Sequence, residues 1–120
     1  MEFEELSGRI IETAIKVHKA LGPGFMESIY EKALCIQLQK DKMGLEAQKE
    51  VRVYYEGEEV GLHRLDLVVE EEIVVELKAV KGIEDVHLAQ LRSYLKATGL
   101  KIGLVLNFSK PALEIKRVVN

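Results

Sequence analysis

Asp66 stands on one apolar stretch of this chain and Glu76-Leu77-Lys78 on the next, so two carboxylates and an ammonium fall among residues that are otherwise mostly Leu, Val and Ile. That is the spacing of a metal-dependent phosphodiesterase site. Two hard carboxylates can share a divalent cation, the backbone carbonyl of Leu77 can add a third oxygen, and the Lys78 ammonium can steer a water or stabilise phosphate charge. In a strand alternate residues share a face, so Glu76 and Lys78 project together while Val75 and Leu77 face the opposite layer. Half-burying such a pair costs roughly several kcal/mol unless each charge is compensated, and a cation relieves the repulsion between Asp66 and Glu76 most directly. By itself a Glu-x-Lys tripeptide is weak, because 31% of the residues are charged and charged residues usually face solvent. The surrounding pattern gives it weight.

Glu27 sits at the start of a helical pattern, from where its carboxylate can reach the same cation directly or through water. An acidic residue in a first helical turn is also stabilising with no other role. Further on, His87, Gln90 and Tyr94 line up at spacings of three and four beside an apolar helical stripe. For His87 alone the plain reading is an amphipathic border. His18 lies beside the apolar stripe of the first helix and is expected to be packed and hydrogen-bonded; His63 belongs to no metal pair.

The elements that must position these residues follow from periodicity. Phe3, Leu6, Ile10, Ala14, Val17 and Leu21 recur every three to four residues, which predicts an amphipathic helix stopped by Gly22-Pro23-Gly24. Met26, Ile29, Tyr30, Ala33, Leu34 and Leu38 predict a second, closed by Lys42-Met43-Gly44. From about Glu46 the period becomes two: Val51, Val53 and Tyr55 alternate with polar residues, and Glu56 to Glu59 supplies a turn. A partner strand over Val60 to Val69, an acidic turn at Glu70 to Glu72 and a continuously apolar strand over Ile73 to Ala79 give three consecutive antiparallel strands. A third helix over Val86 to Ala97, with Leu88, Leu91 and Leu95 inward, leads to a strand over Ile102 to Asn107. That crossover permits a parallel pairing and a right-handed β-α-β unit. Leu113, Ile115 and Val118 mark a last short element of undetermined type.

A length of 120 residues with 48% hydrophobic residues predicts one domain, residues 1–120, with one core. No apolar run reaches the roughly 18 to 20 residues that cross a bilayer, and the acidic start Met1-Glu2-Phe3-Glu4-Glu5 is unlike a signal peptide, so a cytoplasmic protein is expected. A single cysteine, Cys35, excludes an internal disulfide and any four-cysteine cluster. Twenty acidic against seventeen basic residues, a net charge of -3, argues against a broadly basic nucleic-acid surface, yet an enzyme that handles phosphates needs only a local positive field.

Gly24-Phe25-Met26-Glu27-Ser28-Ile29-Tyr30 resembles the signature that names the GxxExxY family, a small group within the PD-(D/E)XK nuclease superfamily. Asp66, Glu76-Leu77-Lys78-Ala79-Val80 and the segment from His87 through Gln90 to Tyr94-Leu95-Lys96 resemble the later blocks of that family in the same order. Gly99-Leu100 and Gly103-Leu104 to Asn107-Phe108 extend the likeness over nearly the whole chain. The chain has Leu65-Asp66 where the nominal motif has Pro-Asp, a change of little consequence since proline coordinates nothing; its tail, Ser109 to Arg117, is shorter than the family leads one to expect.

The resemblance implies an α/β fold, a PD-(D/E)XK nuclease-like core with a central mixed sheet of about four strands flanked by helices in the order ααβββαβ. It implies Mg²⁺ or Mn²⁺ as the metal, Asp66 and Glu76 as ligands, Lys78 as the catalytic lysine and Glu27 as the helix-borne acid. Gln90 and Tyr94 look like a Gln-x-x-x-Tyr element that contacts the substrate backbone or supports the site. The expected function is divalent-metal-dependent hydrolysis of nucleic-acid phosphodiesters, DNA before RNA, by a homodimer or with substrate contacts borrowed from a partner protein. The rival expectation is a catalytically silent nuclease-fold module for binding or assembly.

Overall fold

The computed structural model describes residues 3–120; Met1 and Glu2 of the acidic start, and the side chain of Phe3, lie outside the described residues. Helix α1 spans Phe3–Leu21 and α2 spans Glu27–Lys40, followed by strands β1 (Leu45–Tyr55), β2 (Glu58–Val69) and β3 (Ile73–Lys78), helix α3 (Asp85–Thr98), and strands β4 (Ile102–Asn107) and β5 (Glu114–Val119). The last, untyped element is therefore a strand, and the sheet has five strands where about four were expected. Its apolar residues Ile115 and Val118 are three apart because they serve opposite faces, Ile115 packing on the α1–α2 side and Val118 on the α3 side, so the spacing of two that reveals strands is lost there.

The strands lie in the order β1-β2-β3-β4-β5. β1 with β2, β2 with β3 and β4 with β5 are antiparallel, whereas β3 and β4 are parallel across the α3 crossover, as the spacing predicts. On one face α1 and α2 bury Leu6, Ile10, Ala14, Tyr30, Leu34 and Leu38 against Leu67, Val69, Val75, Leu77, Leu104 and Leu106. On the other, α3 buries Leu91, Tyr94 and Leu95 against Leu65, Val68, Val74 and Val105. Both faces of β3 are covered, which explains its continuous apolar run. In α2 the buried row is Tyr30, Leu34 and Leu38; Met26 and Ile29, expected on the same stripe, are exposed. A step of four holds Tyr30, Leu34 and Leu38 in line; Met26, four residues earlier, falls outside the helix as its N-cap with extended backbone, and Ile29 stands one residue to the side of the row.

One feature of register places the site. β3 pairs with β4 along its whole length, from Ile73↔Ile102 to Lys78↔Asn107, but with β2 only from Ile73↔Val69 to Val75↔Leu67. Beyond Leu67 the two strands part. β1 and β2 continue as a long hairpin to Tyr55↔Glu58, with a bulge between Val53 and Tyr54.

Candidate active site

Where β2 leaves β3, backbone N–H groups lose the ladder partners they would have had, and carboxylates take their place. The Asp66 N–H donates to Glu76 Oε2 at 2.8 Å, and the Leu77 N–H donates to Asp66 Oδ2 at 2.8 Å. Glu76 is 6% exposed and Asp66 half-buried. Burial, and next the charge of Asp66, push the Glu76 carboxyl up to about 8, against the pull of the Asp66 N–H and of Lys78. Burial also raises Asp66, opposed by the Leu77 N–H. Lys78 is half-buried next in line and lowers both carboxyls, without direct ion-pair contact to either among the described residues.

Helix α2 supplies the remaining acids. Glu27 Oε2 accepts the Ala79 N–H at 3.3 Å, which sets this side chain beside the exit of β3. One helical turn on, Glu31 faces the same neighbourhood: burial and then Asp66 raise its carboxyl, and Gln48 Nε2 donates to it at 2.7 Å. Glu31 was not singled out in the sequence, although its position four residues after Glu27 puts it on the same helix face. The Gly24-x-x-Glu27-x-x-Tyr30 spacing now has a physical meaning. Gly24 takes a φ of 112°, Glu27 opens the helix toward β3, and Tyr30 reaches back to hold the loop: its hydroxyl donates to Gly22 O at 2.5 Å and accepts the Phe25 N–H at 3.1 Å. The Tyr30 ring stacks on Phe108, with centroids 4.5 Å apart.

From the other face of the sheet, the Tyr94 phenol lies near the carboxylate pair; burial, then Glu76 and Asp66, raise it, and Gln90 stands one turn away as its hydrogen-bond partner. The ring of His63 meets Tyr94 edge-on at 4.5 Å. His87 is placed differently: its Nδ1 accepts the Glu84 N–H at 2.9 Å and completes a capping box at the start of α3. His18 is buried, with Nε2 against Phe108 O and Lys110 O, the packed and hydrogen-bonded role its position suggested.

Asn107 fixes the segment that follows Lys78. It is fully buried at the end of β4; its Oδ1 accepts the Val80 N–H at 3.1 Å, and its Nδ2 donates to Val80 O at 2.9 Å and Glu114 Oε1 at 3.0 Å. The Ser109 hydroxyl also donates to Val80 O.

The donor chemistry fits a hard divalent cation. Asp66 Oδ1 and Glu76 Oε1 take no hydrogen bond within the described residues, and neither is sealed from solvent without a partner. Two carboxylates disfavoured as anions by burial and by each other are what a cation would stabilise. As they stand, with one oxygen of each committed to backbone, no group of three His, Cys, Asp or Glu forms a ready metal cluster among the described residues.

A mixed five-stranded sheet between helices, with Asp and Glu-x-Lys at a splayed strand pair, defines a nuclease-type α/β fold. A profile described as the PD-(D/E)XK nuclease superfamily matches residues 4–118, and the chain belongs to that superfamily. Among solved structures, the one titled "Crystal structure of SSO0001" superposes with a TM-score of 0.63 at 20% identity, over 78% of this chain and 49% of that one. The likeness is of fold, and this chain spans about half the length of that protein. No curated protein matches.

Proposed function

We propose that this chain is a divalent-metal-dependent nuclease of the GxxExxY group, hydrolysing phosphodiester bonds of nucleic acid, DNA before RNA. The observation that carries the reading is the pairing of Asp66 and Glu76 at the opened edge of β3, with Lys78 beside them and Glu27 on the facing helix. Asp66, Glu76, Glu27 and the Leu77 carbonyl would hold the cation, Mg²⁺ or Mn²⁺. Such a cation supplies Lewis-acid polarisation of the phosphoryl oxygen and a lowered pKa for bound water.

The chain's own groups do the rest. Lys78 offsets the charge that develops on the non-bridging phosphate oxygens and orients the attacking water. Asn107 holds the backbone at Val80, so Lys78 leaves the sheet in one direction. Gln90 and Tyr94 border the carboxylates on the α3 side and would contact the substrate backbone, with His87 at the start of the same helix. A homodimer or a partner protein in the cytoplasm would extend the small binding surface; the exposed Phe25, Met26 and Ile29 next to Glu27 support a covered face there.

A second reading draws on the hydrogen bonds themselves. Carboxylates committed to backbone N–H groups can serve as a structural network in a silent binding module. A cleavage panel of linear, nicked, branched and single-stranded DNA, and RNA, with Mg²⁺ or Mn²⁺ separates the two. Activity lost in Lys78→Ala and Glu76→Ala supports the nuclease, and absence of both cleavage and cation binding in the parent leaves the module.

A further inference from the structure

We infer that the groove between the β1–β2 hairpin and α3 is a track for single-stranded nucleic acid leading to the Asp66–Glu76 pair. The inference rests on the nuclease reading for its purpose, though not for its test. The groove has a volume of about 420 Å³ and is lined by Arg52, Val53, Tyr54, His63, Ser93 and Lys96, together with Ala97. It forms because β2 keeps β1 as its partner after leaving β3, so the hairpin stands off from the sheet and faces the flank of α3.

Its contents are uncommon for a chain with net charge -3. Arg52 and Lys96 bring two cations from opposite walls; Arg52 is shared with Glu59 at 2.9 Å but is well exposed, and Lys96 has no acidic partner among the described residues. Tyr54, 60% exposed, offers a ring that pairs with no other aromatic ring among the described residues, and Ser93 adds a hydroxyl whose proton is given to Gln90 O at 2.6 Å. Cations for phosphates beside an open aromatic face for bases are the means by which proteins hold single strands without reading sequence.

Continuity with the site decides where the track leads. His63 lines the groove and its ring meets Tyr94 at 4.5 Å, and the Tyr94 phenol in turn feels the charges of Glu76 and Asp66. The groove ends at His63, and the buried Tyr94 ring packed on it separates the groove from the carboxylates, so a strand seated on Tyr54 is directed toward the pair across these two rings. The volume lies within the roughly 300–1,000 Å³ that encloses a small ligand. That is the size of one nucleotide, and stacking on Tyr54 requires a base free of its pairing partner.

The test is binding without chemistry. Fluorescein-labelled oligodeoxythymidine, its uridine counterpart and a blunt duplex are titrated in EDTA, by anisotropy, against the parent, Tyr54→Ala, Arg52→Ala and Lys96→Ala, all of them surface changes whose folding circular dichroism checks. The single strands should bind more tightly than the duplex. Tyr54→Ala should weaken them about 5- to 150-fold, and each lysine or arginine removal should lower the salt slope by about 0.7. The deoxy and ribo arms say which strand is preferred. Single strands bound equally by parent and variants, bound no better than duplex, or not bound at all overturn the track. A protein that binds as described yet cleaves nothing with metal overturns only the nuclease reading.

Discussion

Asp66 and Glu76 are locked to one another through the main chain: each carboxylate accepts an N–H belonging to the other's strand, from Leu77 in one case and from Asp66 itself in the other, both at 2.8 Å. The lock stands in for the β2–β3 ladder that ends at Leu67↔Val75. It holds the strands apart by a fixed amount and leaves one oxygen of each carboxylate free to face a ligand.

The first consequence is a pH dependence of stability in metal-free protein. Glu76 is raised to about 8 in the fold from an ordinary value of 4.5, and Asp66 moves the same way. Between those values the unfolded chain has lost a proton that the folded one still holds, so unfolding releases protons and stability falls as pH rises. The contribution is complete below pH 4.5 and gone above about 8, amounting to a few kcal/mol in order of magnitude. Asp41, lowered first by the Thr13 hydroxyl, and Glu114, lowered first by Asn107, give the opposite slope at acid pH. Urea midpoints from pH 5 to pH 9 should decline for the parent and stay nearly level for Glu76→Gln; parallel curves for the two proteins would refute the assignment.

A cation at this pair binds the folded chain alone and so stabilises it. At a hundredfold excess over Kd the gain is about 2.7 kcal/mol, which for a domain of this size is roughly a 10 °C rise in Tm. Thermal melts with Mg²⁺ or Mn²⁺ should show that rise in the parent and little of it in Asp66→Ala. An equal rise in both would place the ion elsewhere.

Tyr30 ties the Gly22–Phe25 loop to the core, and the loop sets the first turn of α2 and hence Glu27. Tyr30→Phe keeps the stack on Phe108 but leaves the Phe25 N–H and Gly22 O without that partner. A loss of about 1 kcal/mol is expected, with faster amide exchange at Phe25. Should exchange at that amide be unchanged, the hydroxyl is not what holds the loop.

How much of this could be read from the sequence differs by residue. The three helices and strand β1 carried clear periodicity and β3 a continuous apolar run; Asp66, Glu76 and Lys78 stood out as charges within apolar stretches, and Glu27 as an acid in the first turn of α2. Glu31 did not, because an acid in mid-helix looks like an ordinary solvated side chain until Asp66 is placed opposite it. Asn107 was hidden for another reason: its partners Val80 and Glu114 come from separate segments that only the sheet brings together. His87 sits where the helical spacing puts it, yet its ring is engaged in the cap through a local hydrogen bond that spacing does not reveal.

Gly103 shows how closely the site's two walls are fitted. It lies on β4 under α3, and a Cβ there would come within 2.7 Å of the Leu91 methyl groups. Leu91 is itself fully buried beside Tyr94 and Leu95, so it has little room to turn away. Gly103→Ala should therefore cost about 1–3 kcal/mol, the usual penalty of overpacking. Any relief must come from α3 moving outward, which would carry Tyr94 and Gln90 away from Glu76. Paired with Leu91→Ala, the substitution should cost less than the sum of the two single changes, because the space lost at one is returned at the other. Denaturation of the four proteins gives that coupling directly, and strict additivity would show that Leu91 is not what confines the position to glycine.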